Sequence, residues 1–183
     1  MQQLKKRLVT FPNPREGLEL LKCFETFYAV QNLVNPNLNV TGAAATASLG
    51  NVIYAVIDGV LVTKAGASTI TLSGAQVASG SFNAYLFTLD ASGALFCYSG
   101  NPATTLAGVQ LPLIQEHSYT ASGAGASAGG LMGLKQVVIG GMVMANTSGA
   151  AFIPGTTLLN VLNLGITAIN QTGAFFPTQL NAL

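Results

Sequence analysis

Tyr54-Ala-Val-Ile-Asp-Gly-Val-Leu-Val-Thr-Lys64 is the stretch whose reading decides the fold. Two apolar, β-branched runs, Val52–Ile57 and Val60–Lys64, flank Asp58-Gly59, and that dipeptide between such runs is the strongest short-range hairpin signal. The same design recurs further on. Asn83–Leu89 and Ala94–Ser99 flank Asp90-Ala-Ser-Gly93, and Gln136–Ala145 and Ala150–Ile153 flank Asn146-Thr-Ser-Gly149. In both turns an Asx side chain opens the loop and a glycine supplies the positive φ that closes it. Asp90-Ala-Ser-Gly-Ala-Leu-Phe96 and Asn146-Thr-Ser-Gly-Ala-Ala-Phe152 are therefore echoes of one hairpin, without the fixed short period of a solenoid. Ser68–Leu72 reads as a further strand, and Thr156–Ile169 alternates apolar with small polar residues as strands do. Several hairpins at short spacing imply a mainly β body: an antiparallel β-sandwich or jelly-roll-like barrel.

The residues before this body read differently. Asn13, Pro14 and Glu16 make a helix start, with Asn at the N-cap and Pro at N1. Leu20, Leu21, Phe24, Phe27, Tyr28 and Val34 recur at spacings of three and four, and Asn35-Pro36 stops the pattern. The expectation is one helix over about 14–34 inside an N-terminal arm, residues 1–40, with 41–183 as the body. Asn35–Gly50 reads as a linker, and Ser118–Gly130, rich in Gly, Ala and Ser, as a loop between strands.

Composition narrows the function. Of 183 residues, seven are basic and six acidic, 7% in all, where an ordinary soluble domain carries about 25%. Half the chain is hydrophobic, which excludes a disordered chain. A net charge of +1 offers nucleic acid no electrostatic footprint. Eight of the thirteen charges fall in residues 1–25, leaving Asp58, Lys64, Asp90, Glu116 and Lys135 for the rest. A solitary surface relies on charge for solubility, so the body is expected to be covered by copies of itself or by a larger assembly. No membrane span is expected, since Leu131–Ala145 is short and broken by Lys135 and Gln136. Lys5-Lys6-Arg7 resembles the start of an export signal, but Leu8–Phe11 is too short an apolar region to follow it. Cys23 and Cys97 are expected to be buried free thiols.

The sequence offers no catalytic constellation. His117 is the only histidine, and its neighbours Glu116 and Ser118 point to the opposite face of a strand, so no relay forms. Two cysteines, one histidine and the turn residues Asp58 and Asp90 are too few for a metal site. Asp58, Asp90 and Glu116 are the only body carboxylates available for glycoside hydrolysis, and two of them have turn roles. Gly123-Ala-Gly125 lacks the lysine and the setting of a phosphate loop. No enzyme activity, cofactor or metal is expected.

Taken in order, Tyr54–Lys64, Tyr85-Leu-Phe-Thr-Leu-Asp-Ala-Ser-Gly-Ala94, Val138-Ile-Gly-Gly-Met-Val-Met-Ala-Asn-Thr-Ser-Gly-Ala150, Phe152 and Pro154-Gly-Thr-Thr157 resemble a group of tailed-bacteriophage virion proteins. The resemblance covers roughly Asn51–Thr157. It implies a structural virion component, a head decoration (cement) protein or a head-fibre subunit, and it brings no catalytic residues. The expectation is a homo-oligomer, with a trimer suited to the threefold points of a shell, bound to the major capsid protein on the capsid exterior and made in the host cytoplasm. Neither nucleic acid nor a membrane is an expected partner. The arm is the expected partner-binding segment, through Lys5, Lys6 and Arg7 and the apolar Leu20, Phe24, Phe27 and Tyr28. The alternative for the helix is that it packs on its own body. The alternative functions are a head- or tail-fibre or tail-tip subunit that binds host surface carbohydrate and, more remotely, a cell-wall hydrolase.

Overall fold

A computed structural model describes residues 31–57, 59–110, 112, 136–161 and 163–172. Among them are ten strands: β1 Gln31–Asn32, β2 Leu38–Asn39, β3 Thr46–Leu49, β4 Ile53–Ile57, β5 Val60–Lys64, β6 Thr69–Thr71, β7 Ser81–Asp90, β8 Leu95–Ser99, β9 Gln136–Asn146 and β10 Leu164–Asn170. A single 3-10 turn, Leu106–Gly108, interrupts them. The mainly β, antiparallel, sandwich-like expectation is met.

One layer is a four-stranded antiparallel sheet in the order β10-β9-β7-β8. It faces two three-stranded sheets, β1-β4-β5 and β2-β3-β6. β1 and β4 lie against β9, β2 against β10, and β6 against β8. The core fills the space between the layers. Tyr85, Phe87, Leu89, Ile139, Met142 and Met144 come from the large sheet, and Ile53, Ala55, Ile57, Leu49 and Ile70 from the small ones. Burying a side chain of this size stabilises by about 1.5–3 kcal/mol, so this interior holds the layers together without ion pairs.

The hairpins fall where their turn residues put them. β4 and β5 pair from Ile57↔Val60 to Ile53↔Lys64 across Asp58-Gly59, and β7 and β8 from Leu89↔Leu95 to Tyr85↔Ser99. The third turn behaves differently. The expected strand Ala150–Ile153 does not pair back onto β9. Phe152 instead bridges Val77, while β9 lies between β7 and β10. The strand expected over Thr156–Ile169 is confined to β10, and Pro154–Thr156 form a turn.

The start of the described chain corrects two expectations. Residues 31–34 are not the end of a helix, because Gln31 and Asn32 pair with Val56 and Ala55 of β4. Residues 35–50 are not a linker, because they contain β2 and β3. Asparagine side chains explain why. Asn32 Nδ2 donates to the Gln171 carbonyl at 2.6 Å, and Leu38 N–H donates to Asn170 Oδ1 at 2.8 Å. These bonds tie residues 31–38 to the end of β10, and Leu38 and Val40 are buried with it. The part of the arm beyond residue 30 therefore belongs to the body. The helix expected over 14–30 lies outside the described residues.

In β9, Gly140 and Gly141 sit beside a register shift between Phe87 and Thr88 of β7. A Cβ at Gly140 would run into the Ile169 carbonyl, and one at Gly141 into the Tyr85 carbonyl. Only glycine lets the neighbouring strands close on β9 at this point.

Candidate functional surface

Polar chemistry in the body is committed to holding turns. Lys64 and Asp90 are the only charged side chains among the described residues. Asp90 Oδ1 accepts from Ser92 N–H at 2.9 Å, Ser92 Oγ at 2.7 Å and Ala94 N–H at 2.8 Å. Lys64 Nζ donates to the Gly93 carbonyl of the same turn at 2.7 Å. β5 of the small sheet is thereby tied to the β7–β8 turn of the large one. Asn146 repeats the arrangement without a charge: its Oδ1 accepts from Ser148 N–H at 3.2 Å and Ser148 Oγ at 2.7 Å. Its Nδ2 donates to the carbonyls of Val77 at 2.9 Å and Ala150 at 2.8 Å. Gly93 and Gly149, with φ +82 and +81, close the two turns.

The buried polar groups are equally structural. Gln136 Oε1 accepts from Thr88 Oγ1 and Tyr98 OH, each at 2.8 Å. The Tyr85 hydroxyl is buried with no hydrogen-bond partner. Asn83 and Ser99 lie beside it, but Asn83 Nδ2 donates to Ser99 Oγ at 3.0 Å. Burial pushes the Tyr85 phenol up to about 12. Cys97 is a free, half-buried thiol, and burial raises its pKa as well, which suppresses the thiolate that would react. Among the described residues no three His, Cys, Asp or Glu side chains converge to hold a metal ion, and no helix is long and apolar enough to cross a membrane.

What the body does present is an apolar sheet face. In β4, Ile53, Ala55 and Ile57 point into the core, so Tyr54 and Val56 point outward. Register places Leu61 opposite Val56 and Thr63 opposite Tyr54. On the other side, β1 extends to Leu33, whose N–H donates to the Tyr54 carbonyl at 2.8 Å. Leu33 is 49% exposed, Val52 41%, Tyr54 43% and Leu61 61%. The outward face of β1-β4-β5 is thus largely apolar, with Gln31 and Thr63 set among Leu33, Tyr54, Val56 and Leu61, and it has no charged side chain among its described residues.

The sequence did not single out this surface. Val52–Ile57 is apolar without interruption, and such a strand lacks the period-two signal that separates an inner from an outer face. The expected partner-binding residues Lys5, Lys6, Arg7, Leu20, Phe24, Phe27 and Tyr28 lie outside the described residues, as do Asp58, Glu116 and His117. No family model, no curated protein and no solved structure matches the chain.

Proposed function

We propose that the protein is a structural virion component that decorates and stabilises a bacteriophage capsid as a homo-oligomer, in a trimer suited to threefold points of the shell. The observation that carries this reading is the near absence of ionisable groups from the body. Its two described charges hold one turn, and the described Asn146, Gln136 and Thr88 side chains hold turns and strands. A surface without charge depends on being covered, and interfaces poor in charge at their centre are the stable, obligate kind. The resemblance of the hairpin series Tyr54–Thr157 to phage virion proteins supplies the setting, and the basic Lys5, Lys6 and Arg7 supply an electrostatic contact to the major capsid protein. The action is mechanical: each bound copy adds buried area to the assembled shell and stabilises it by mass action over free subunits.

The test is to add purified protein to shells that lack it. Co-sedimentation at a fixed ratio, with raised resistance of the filled shells to heat, is the expected result. Failure to bind shells, with density for the chain at the tail in virions imaged by cryo-EM, would replace this reading with the fibre or tail-tip one. The outward Tyr54 is the observation that favours that second reading, since an exposed aromatic ring can stack on a sugar. Glycan binding abolished by Tyr54→Ala would establish it.

A further inference from the structure

The four-stranded sheet β10-β9-β7-β8 has two edges, and the described residues seal only one of them. Along β8 the Cys97 carbonyl accepts from Ser73 Oγ at 3.2 Å, and the chain passes so closely here that a Cβ at Gly74 would strike the Ser99 side chain. β10 has no such cover among the described residues. Gln171 N–H donates to the Ile139 carbonyl and Thr147 N–H to the Asn163 carbonyl, each at 3.1 Å. With Asn170 opposite Gly140 and Leu164 opposite Asn146, these bonds fix the phase of the ladder. Odd-numbered residues of β10 turn their backbone groups to β9, and even-numbered ones turn them away. Leu164 N–H is taken up by the Val161 carbonyl at 3.1 Å. The backbone N–H and C=O of Ile166 and Ala168 face outward and bond to no described residue.

A row of unpaired backbone groups is a template for another strand, and such edges are ordinarily guarded by lysine, proline or a bulge. β10 has no charge and no proline, and it pairs with β9 without a register shift. Leu164, Ile166 and Ala168 pack against the core yet stay only partly buried, so the core is open along the same edge. A strand that closes this edge must bring backbone groups and an apolar row together, and a second β10 brings both. Turned antiparallel about its midpoint, Thr167, the strand pairs with itself over all seven residues. Ile166 then faces Ala168 of the partner copy on the core side, and Gly165 faces Ile169 of the partner copy on the outer side. Large meets small in each pair, and no like charges oppose one another.

We propose that the free side of β10 pairs with β10 of a second copy across a two-fold axis at Thr167, joining two four-stranded sheets into one. Where the pairing acts rests on the capsid reading; the pairing itself does not. A two-fold contact cannot close a trimer, so it links chains of neighbouring oligomers. Seven residues at about 3.4 Å each, along a layer about 10 Å thick, give each partner roughly 240 Å². That is well below the about 800 Å² per partner of a stable interface. Free oligomers at low micromolar concentration therefore stay apart. Copies seated side by side on a shell meet at an effective concentration on the order of millimolar.

Cross-linking in the full-length protein, with Cys23→Ser and Cys97→Ser, tests the pairing. Thr167 is exposed, and Thr167→Cys places the two Cα atoms about 4.5 Å apart across the axis, within disulfide reach. Gly165→Cys places them about 14 Å apart, beyond it. Copper-catalysed oxidation of millimolar protein, and of protein bound to shells, should link Thr167→Cys chains in pairs on a non-reducing gel at least severalfold more than Gly165→Cys chains. Adding Ala168→Pro removes an outward N–H that β9 does not use. It should abolish the link while far-ultraviolet circular dichroism keeps the strand signal. If that variant fails to fold, mixed Gly165→Cys and Ile169→Cys chains decide, since the stated register brings those two positions together, and their failure to link overturns the pairing. Thr167→Cys chains that stay single in millimolar protein, equal linking at 165 and 167, or a link that survives Ala168→Pro in a folded variant each overturn it as well. Linking in millimolar protein that binds no shell upholds the pairing and removes the capsid reading.

Discussion

At the scale of the residue, Tyr85 and Asn146 show how buried polarity is spent. The Tyr85 hydroxyl is buried without a partner, and leaving such a group unpaired costs about 1–3 kcal/mol. Tyr85→Phe keeps the ring and removes the orphan, so urea denaturation should show stability unchanged or higher by about 1 kcal/mol. The alkaline limb should change as well. The folded phenol holds its proton up to about 12, above the usual value of about 10. This group's contribution is fully present below about pH 10 and is lost as pH rises towards 12. Across that window Tyr85→Phe should lose less stability than the parent. Asn146 is the opposite case, with both ends of its amide satisfied. Asn146→Asp would turn the donor facing two carbonyls into a buried acceptor and should cost about 3 kcal/mol or more. Asp90→Asn, on the half-buried twin turn, keeps its accepting oxygen and should cost less than about 1 kcal/mol by the same measurement.

At the scale of the element, legibility followed distance along the chain. The hairpins β4–β5 and β7–β8 were readable because their signals, Asp58-Gly59 and Asp90 to Gly93, lie between the strands they join. The pairing of β7 with β9 was not, since Ser99 and Gln136 are far apart in sequence and no local signal marks a partner at that range. The third turn was recognised, but its following strand was misplaced: Asn146 bonds across to Val77 and draws Phe152 with it. β1 and β2 were missed because a two-residue strand has no periodicity, and asparagine reads as loop until its partner is known. The close passage at Gly141 gives the test at this scale. Gly141→Ala would press a methyl group into the Tyr85 carbonyl and should destabilise at the upper end of the about 1–3 kcal/mol typical of overpacking. Gly165→Ala in β10 would meet Ala145 at ordinary contact distances, its side chain at 3.6 Å and its carbonyl at 3.7 Å, and should be near neutral. Thermal melts of the two variants check the contrast.

At the scale of the whole molecule, low charge is the property that composition makes plainest. It excluded catalysis by ionisable groups as an expectation, but it did not say which surface is covered, because an uncharged face looks the same in sequence whether its cover is a neighbour or its own chain. If copies associate through such faces, screening has little to act on. Sedimentation at low micromolar concentration should therefore give the same oligomer in low salt and in molar salt, with a trimer expected. An assembly that falls apart as salt rises would point to the basic leader as the self-contact.

The tie from Lys64 to Gly93 has a practical consequence for anyone trying to detect or trim this protein. Trypsin cuts after lysine and arginine, and the chain offers such sites only at 5, 6, 7, 15, 22, 64 and 135. Among the described residues the sole site is Lys64, which ends β5 with its ammonium engaged by the Gly93 carbonyl. Native digestion should leave that bond intact. After denaturation the body yields only the long peptides 23–64, 65–135 and 136–183, so peptide maps built on trypsin will under-report it. A protease that cuts at large apolar residues will reveal it.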